Sequence, residues 1–188
     1  MTRRIMAALV GVALALGIVV TSQPTEAAAV TGSQFDPGYI ISDAEFYNGS
    51  MMTANDVQAF LNSMVPVCQS GYVCLKDFRQ NTPNLPADAY CSGYVGATNE
   101  RASDVIAKVG ASCNVNQRVL LVLLQKEQGL VTHTWPSSWR YTSATGFGCP
   151  DSAPCDPQYN GFVYQVYYAA RQFKRYAALP NNYNYRAG

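Results

Sequence analysis

Six cysteines restrict the fold of this chain more than any other feature, because an exported protein joins its cysteines in pairs. All six lie between residues 68 and 155. Several pairings are possible. Pairing of chain neighbours is favoured, since each bond then closes a short loop that can form as the chain emerges. The sequence therefore predicts three disulfides, Cys68–Cys74, Cys91–Cys113 and Cys149–Cys155.

A metal centre is not expected from these cysteines. The chain has no C-x-x-C motif, and its single histidine, His133, has no evident co-ligands. Structural zinc sites use closely spaced cysteine and histidine ligands. We therefore predict neither a metal site nor a cofactor.

The first 29 residues have the three parts of a secretory signal peptide. Arg3 and Arg4 supply positive charge, Ile5–Val20 is an uncharged apolar run, and Ala27-Ala28-Ala29 offers the small residues that signal peptidase requires. The apolar run is short for a membrane span of about 20 residues, although an uncleaved N-terminal anchor is the alternative. We predict a signal peptide over residues 1–29, and a product that is secreted or held in the cell wall with no membrane attachment after cleavage.

The chain after residue 29 is large enough for one domain and has no net charge. Removal of the signal, which includes Arg3, Arg4 and Glu26, changes the 13 basic and 12 acidic side chains to 11 of each over 159 residues. A neutral surface argues against nucleic acid as a partner. All 13 tyrosines lie in this part, and aromatic rings stack on other flat faces. A monomer that contacts an uncharged polar ligand, such as a glycan, is expected.

Four segments have the apolar spacing of helices. The spacing predicts helices from Thr53 to Met64, over residues 99–109, from Asn114 or Asn116 to Gly129, and over residues 159–178. Gly110 is expected to stop the second of these helices.

The stretches between these helices read as loops, and no segment predicts a strand. The loops at 66–98 and 132–157 each contain cysteines. The fold class is therefore mainly α, a single domain over residues 30–188 with disulfide-held loops. Residues 30–66 form its N-terminal segment and first helix.

Glu127 is the acidic side chain that the helical pattern places on an apolar face. Leu124 and Leu123 precede it by three and four residues, which puts them on the same side of the helix. Burial and the negative end of the helix dipole both disfavour its ionised form, and a protonated carboxylic acid beside a groove is what a general acid requires. The alternative is a glutamate that turns to solvent or pairs with Arg118 or Lys126.

A second carboxylate could come from the loop that the Cys149–Cys155 bond would stiffen. Asp151 and Asp156 both lie in this loop. Either could activate water or form a covalent intermediate in a glycoside hydrolase. Aspartate beside proline or serine is also a common turn residue.

Three stretches of the chain resemble the lysozyme-like superfamily. They are LLVLLQKEQGLVT, YTSATGFGCPDSAPC and YNGFVYQVYYAARQF, within residues 115–176. More narrowly, they resemble secreted bacterial peptidoglycan hydrolases of the lytic transglycosylase and glucosaminidase kind. The N-terminal stretch FDPGYIISDAEFYNGSMMTANDVQAFLN is similar to a segment that precedes such domains in secreted actinobacterial proteins.

The resemblance implies a lysozyme-like fold with a catalytic core at residues 115–176. It implies Glu127 as the catalytic glutamate, although Gln128 stands where the family usually has serine. Asp151 is the second candidate catalytic residue, in a hydrolase route. The turn Ala144–Gly148 matches the family's glycine turn loosely. The residues expected to bind substrate are Tyr141, Thr145, Tyr164 and Gln165.

The activity implied is cleavage of the β-1,4 bonds between the amino sugars of peptidoglycan. Glu127 would protonate the leaving oxygen. The alternative is a non-catalytic wall-binding or adhesin module on the same scaffold, and the altered glycine turn favours that alternative.

Overall fold

The structure is a computed structural model that describes residues 32–34, 36 and 38–184. The chain divides into two compact units, Met1–Asp36 and Pro37–Gly188. In the first unit, a short 3-10 helix occupies Gly32–Gln34. The predicted signal peptide, residues 1–29, lies outside the described residues and stays a prediction. Within the described ranges, no helix is long and apolar enough to cross a membrane.

The second unit is mostly helical, which confirms the mainly α class. Its helices are α1 (Asp43–Phe46), α2 (Ala54–Met64), α3 (Ala102–Cys113), α4 (Gln117–Gln128), α5 (Ser138–Thr142) and α6 (Phe162–Ala178). Strands β1 (Arg79–Gln80) and β2 (Glu100–Arg101) form a short antiparallel pair. Two-residue strands are too short for an alternating pattern to show in a sequence, so this pair was not predicted.

Local capping signals fix the starts of two helices. At α2, the Thr53 hydroxyl accepts from the Asp56 N–H at 3.2 Å and the Thr53 N–H donates to Asp56 Oδ2 at 2.9 Å. This reciprocal capping box satisfies two backbone donors that a helix leaves free. At α4, the Asn116 side chain accepts from the Arg118 N–H at 2.9 Å. Of the two asparagines considered, Asn116 is therefore the cap.

Helix α3 does not stop at Gly110 as predicted. It runs to Cys113, and Asn114 ends it in the left-handed conformation. Gly110 serves a different purpose, because a β-carbon there would stand 2.6 Å from the amide nitrogen of Gln117. Glycine lets two backbones approach closely: a β-carbon on Gly49 would stand 2.2 Å from the Gly110 carbonyl oxygen.

The core of the unit is built around α3, which packs against α2, α4 and α6. Val105, Ile106 and Val109 of α3 are fully buried. They meet Leu124 of α4 and Phe162 of α6 in one apolar cluster. The turn after α5 lies beside both the end of α4, where Glu127 approaches Gly146, and the first turns of α6, where Gln165 bonds to Thr145 and Phe147.

The three predicted disulfides are confirmed. Cys68–Cys74 and Cys149–Cys155 each close a loop with a sequence separation of 6 residues. Cys91–Cys113 spans 22 residues and ties the long loop before α3 to the end of that helix. The cysteines pair in chain order, first with second, third with fourth and fifth with sixth, although Cys91 lies nearer along the chain to Cys74 than to its partner Cys113.

Candidate functional site

Glu127 is the second-last residue of α4, where the helix leaves the core. Gly129 follows in the left-handed conformation, and its N–H donates to the Gln125 carbonyl at 2.9 Å. The guanidinium of Arg140 donates to the Gln128 carbonyl at 2.5 Å. Glycine and a cation at these positions are the usual partners for the free carbonyls of a helix end. The direction of Glu127 is thus fixed by a well-capped helix terminus.

The carboxylate of Glu127 is more exposed than the apolar stripe predicted. Its side chain retains 31% of its accessible surface, and Lys126 Nζ lies 2.7 Å from its Oε1. Leu124 is fully buried while Leu123 is only half-buried, because the last turn of α4 emerges from the core. Glu127 therefore pairs with Lys126, as the alternative prediction had it, but through only one of its two carboxylate oxygens.

The second oxygen of Glu127 faces the glycine turn. Its Oε2 lies 3.6 Å from the point where a β-carbon on Gly146 would stand. Gly146 and Gly148 both have positive φ angles, of 69° and 70°. Glycine adopts this conformation without the steric cost that other residues incur, so the turn can pass close to the end of α4.

Gln165 of α6 holds this turn in place. Its Oε1 accepts from the N–H groups of Thr145 and Phe147, both at 3.1 Å. Its Nε2 donates to the carbonyls of Phe147 and Tyr159, both at 2.8 Å. The Gln165 side chain is fully buried, while its partners Phe147 and Tyr159 are half-buried. Gln165 is a positioning residue for the turn, and its enclosed amide is not free for the substrate contact predicted from the sequence.

A groove of about 360 Å³ lies beside the turn, which is within the range of small-molecule sites. The turn forms one wall, and α4 contributes Leu123. Helix α6 supplies Gln172, Phe173 and Tyr176. Gln172 and Tyr176 follow Gln165 by seven and eleven residues, which is one face of a helix. The sequence analysis did not select these two residues, although their spacing from Gln165 was a usable signal.

The two turn glycines give a matched pair for a stability test. Alanine at Gly146 would meet only Glu127 Oε2 at 3.6 Å, whereas alanine at Gly148 would stand 2.5 Å from a ring carbon of Tyr159. We expect Gly146→Ala to cost about 1 kcal/mol from the positive φ alone, and Gly148→Ala about 1 kcal/mol or more beyond that from the clash. Urea unfolding measures both, and equal losses would contradict this arrangement of the turn.

Of the other three residues predicted to bind substrate, Thr145 lines the groove, whereas Tyr164 and Tyr141 pack elsewhere. Thr145 is buried on the turn and lines the groove, with its hydroxyl donating to the Gln165 carbonyl at 2.9 Å. Tyr164 is half-buried at the start of α6 and packs against the core. Tyr141 is buried, and its hydroxyl donates to the Val73 carbonyl at 2.7 Å. Thr145 is thus the predicted contact that reaches the groove.

Tyr141 belongs to a second cavity of about 460 Å³ near the Cys68–Cys74 loop. Its ring stacks on Phe78, with centroids 4.0 Å apart. Burial raises the pKa of Tyr141, and the charge of Asp77 adds to the effect. These contacts make Tyr141 a packing residue.

The two candidate second carboxylates lie on the loop closed by Cys149–Cys155. Asp151 is exposed in a turn. Asp156 caps the short 3-10 helix Pro157–Tyr159 and accepts from the Gln158 N–H at 3.1 Å. Asp156 therefore has a structural role, which leaves Asp151 as the freer of the two.

Glu100 is a buried acid whose role the sequence did not reveal. It lies in β2, one residue before the cap of α3, and only 3% of its side chain is exposed. Its Oε2 accepts from the hydroxyls of Tyr94, at 2.5 Å, and Thr82. Its Oε1 accepts from Lys108. Tyr94 and Thr82 come from the irregular loop before β2 and Lys108 comes from α3, so no single local pattern could bring the three partners together.

The described residues around Glu127 and around Glu100 include no cluster of metal-ligating side chains. Among the residues that the structure describes, no group of three histidine, cysteine, aspartate or glutamate side chains could hold a metal ion.

No family model, no curated protein and no solved structure matches the chain.

Proposed function

We propose that this chain is a secreted, lysozyme-like enzyme that cleaves β-1,4 bonds of peptidoglycan, with Glu127 as its general acid and base. The observation that supports the proposal most is the position of the Glu127 carboxylate. Its Oε2 faces Gly146 of a turn that Gln165 pins and that lines a groove. The groove wall includes Gly146 but not Glu127, so a glycan in the groove must extend past Gly146 for the carboxylate to reach the oxygen of its glycosidic bond.

The chemistry requires one carboxylate that acts twice. Glu127 in its acid form gives a proton to the leaving oxygen as the bond from that oxygen to the anomeric carbon breaks. The resulting carboxylate then takes the proton from the muramyl 6-hydroxyl, whose oxygen forms the new bond to the anomeric carbon. In a hydrolytic route water attacks instead, and Asp151 would take its proton. The capping role of Asp156 favours the route with a single carboxylate.

The second candidate function is a non-catalytic wall-binding module on the same scaffold. The contact that favours it is the ion pair between Lys126 and Glu127, at 2.7 Å. This contact occupies Oε1 of Glu127, so that oxygen is not available to a bound glycan while the pair is formed. Catalysis would then require Lys126, which is largely exposed, to move when a glycan binds.

The test is digestion of isolated peptidoglycan by the purified protein and its Glu127→Gln variant. We expect soluble muropeptides from the parent protein and a loss of about a hundredfold in rate for the variant. Glu45→Gln is the matched control, because Glu45 is exposed on α1. Mass spectrometry separates anhydro products from hydrolytic ones, which differ by one water. Wall pelleting without product, equal in all three proteins, would support the binding module and overturn the enzyme.

A further inference from the structure

Helices α2 and α4 leave an apolar groove of about 450 Å³ between them. Its apolar wall consists of Met52, Phe60, Met64, Leu121, Val122 and Val131. Several of these side chains face solvent, including Val122 at 67% exposure. Apolar side chains that are exposed together, rather than singly, indicate a binding surface.

The residues that line the groove come from both ends of the two helices. Met52 precedes α2 and donates its N–H to Gln117 at the start of α4, at 3.1 Å. Met64 ends α2, and Val131 follows the end of α4. The groove therefore runs along both helices, and the 11 residues of α2 give a length of about 16 Å. Methionine side chains at both ends adapt readily to the shape of an apolar ligand.

One end of the groove is positively charged. Arg118 lines it there, is exposed, and stands in the first turn of α4, where the helix dipole adds positive potential. The ion pairs of the described residues give Arg118 no carboxylate partner, and no acidic side chain lines the groove. An arginine fork binds a carboxylate through two parallel hydrogen bonds.

The polar side chains at the other end satisfy each other. Gln125 Nε2 donates to the Thr132 hydroxyl at 3.0 Å, and Gln125 Oε1 accepts from the Thr132 N–H at 3.1 Å. A ligand therefore does not need a polar group to satisfy the hydrogen-bonding groups at this end of the groove. The groove as a whole has one cationic end and an otherwise apolar length.

We propose that this groove binds a long-chain fatty acid, with the carboxylate on Arg118 and the hydrocarbon chain between α2 and α4. A water molecule takes about 30 Å³ and a methylene group is of similar size. A volume of about 450 Å³ then accommodates a single chain of about fifteen carbons. The anionic head and the single apolar tail account for the two ends of the groove.

This site is separate from the proposed catalytic one. At 100° per residue, the nine positions between Arg118 and Glu127 place the two side chains on opposite sides of α4. The fatty-acid site therefore does not depend on the proposed glycan cleavage, and either can fail without the other.

The test is titration of the protein, expressed from the full-length sequence, with palmitate below its micellar concentration. Displacement of cis-parinaric acid, a fluorescent fatty acid, reports binding. We expect saturable binding of one palmitate per chain, and about tenfold weaker binding in Arg118→Gln, which loses the charge-assisted bonds. Val122→Glu places a charge in the exposed groove wall and should weaken binding at least as much. Arg175→Gln, an exposed arginine at the end of α6, is the control that keeps full affinity.

Hexadecanol separates the contribution of the head from that of the tail. It should bind about tenfold more weakly than palmitate to the parent protein and equally to the parent and Arg118→Gln. Urea midpoints confirm that each variant is folded. No saturable binding, or palmitate affinity that neither groove variant changes, would overturn the proposal. Binding of an amphipathic helical peptide or of anionic vesicles, with none of free palmitate, would overturn it as well.

Discussion

Replacing Gln165 with leucine is expected to destabilise the protein by about 4 kcal/mol or more and to abolish any activity that depends on Glu127. Leucine has a similar size but cannot donate or accept a hydrogen bond. The N–H groups of Thr145 and Phe147 and the carbonyls of Phe147 and Tyr159 would lose this partner, in surroundings that are buried or partly buried. Each such group costs about 1–3 kcal/mol when it is left unsatisfied. The loss is a large share of the roughly 5–15 kcal/mol that holds a domain folded.

Activity should fall because the turn would no longer hold Gly146 against Glu127. Urea unfolding followed by circular dichroism measures the stability, and muropeptide release measures the activity. Gln172→Leu is the matched control for stability on the same face of α6, since Gln172 is half-buried and bonds to the Tyr183 hydroxyl at 3.2 Å. Because Gln172 lines the groove, the two variants are compared by urea unfolding alone. We expect Gln172→Leu to cost about 1 kcal/mol or less. Equal effects of the two variants would show that the turn does not depend on Gln165.

Alkaline pH is expected to unfold the protein through its buried tyrosines. Burial raises the pKa of Tyr94, and its bond to Glu100 raises it further. Burial, with the charge of Asp77, likewise raises the pKa of Tyr141. The folded state therefore keeps protons that the unfolded chain releases above a pH of about 10. The contribution of these two tyrosines to the free energy of unfolding is fully present below that pH. It is lost as the pH rises toward their pKa values in the folded state.

The expected slope is about 1.4 kcal/mol per pH unit for each tyrosine, or nearly 3 kcal/mol for the pair. Between pH 10 and 12 the loss approaches the whole stability of a small domain. Urea midpoints over this range measure the slope. Tyr94→Phe and Tyr141→Phe should each remove about half of it, apart from a constant loss for the missing hydrogen bond. A slope that neither substitution changes would contradict the prediction.

Local chemistry explains why parts of the fold were predictable. The disulfides join chain neighbours across short loops, so spacing alone indicated the partners. The start of α2 follows from Thr53 and Asp56, three residues apart. Gly110 was misread because its signal is ambiguous: glycine can end a helix or permit close packing, and the positions of Gln117 and of the Val115 carbonyl decided which.

The candidate site was predictable only in part. The helical pattern selected Glu127 and its neighbours but overstated its burial, because periodicity does not show where a helix emerges from the core. The family resemblance selected Gln165, but as a substrate contact, since the bonds of that amide reach a turn 18–20 residues earlier. Export, glycan cleavage and the lysozyme-like fold remain predictions.

The helical class and the Cys68–Cys74 and Cys149–Cys155 bonds could be predicted from the sequence because they depend on residues close together in the chain. Cys91–Cys113, which spans 22 residues, followed from pairing the cysteines in chain order. The tertiary structure decided what the buried polar side chains do. Glu100 meets Thr82 across 18 residues, and Gln117 meets Gly49 across 68. Such contacts depend on how α3 gathers the other elements around it, and no local spacing encodes that arrangement. The disulfides limit the shape of the loops that they close. The packing of α3, α4 and α6 determines which residues of the turn Ala144–Gly148 line the groove beside α6.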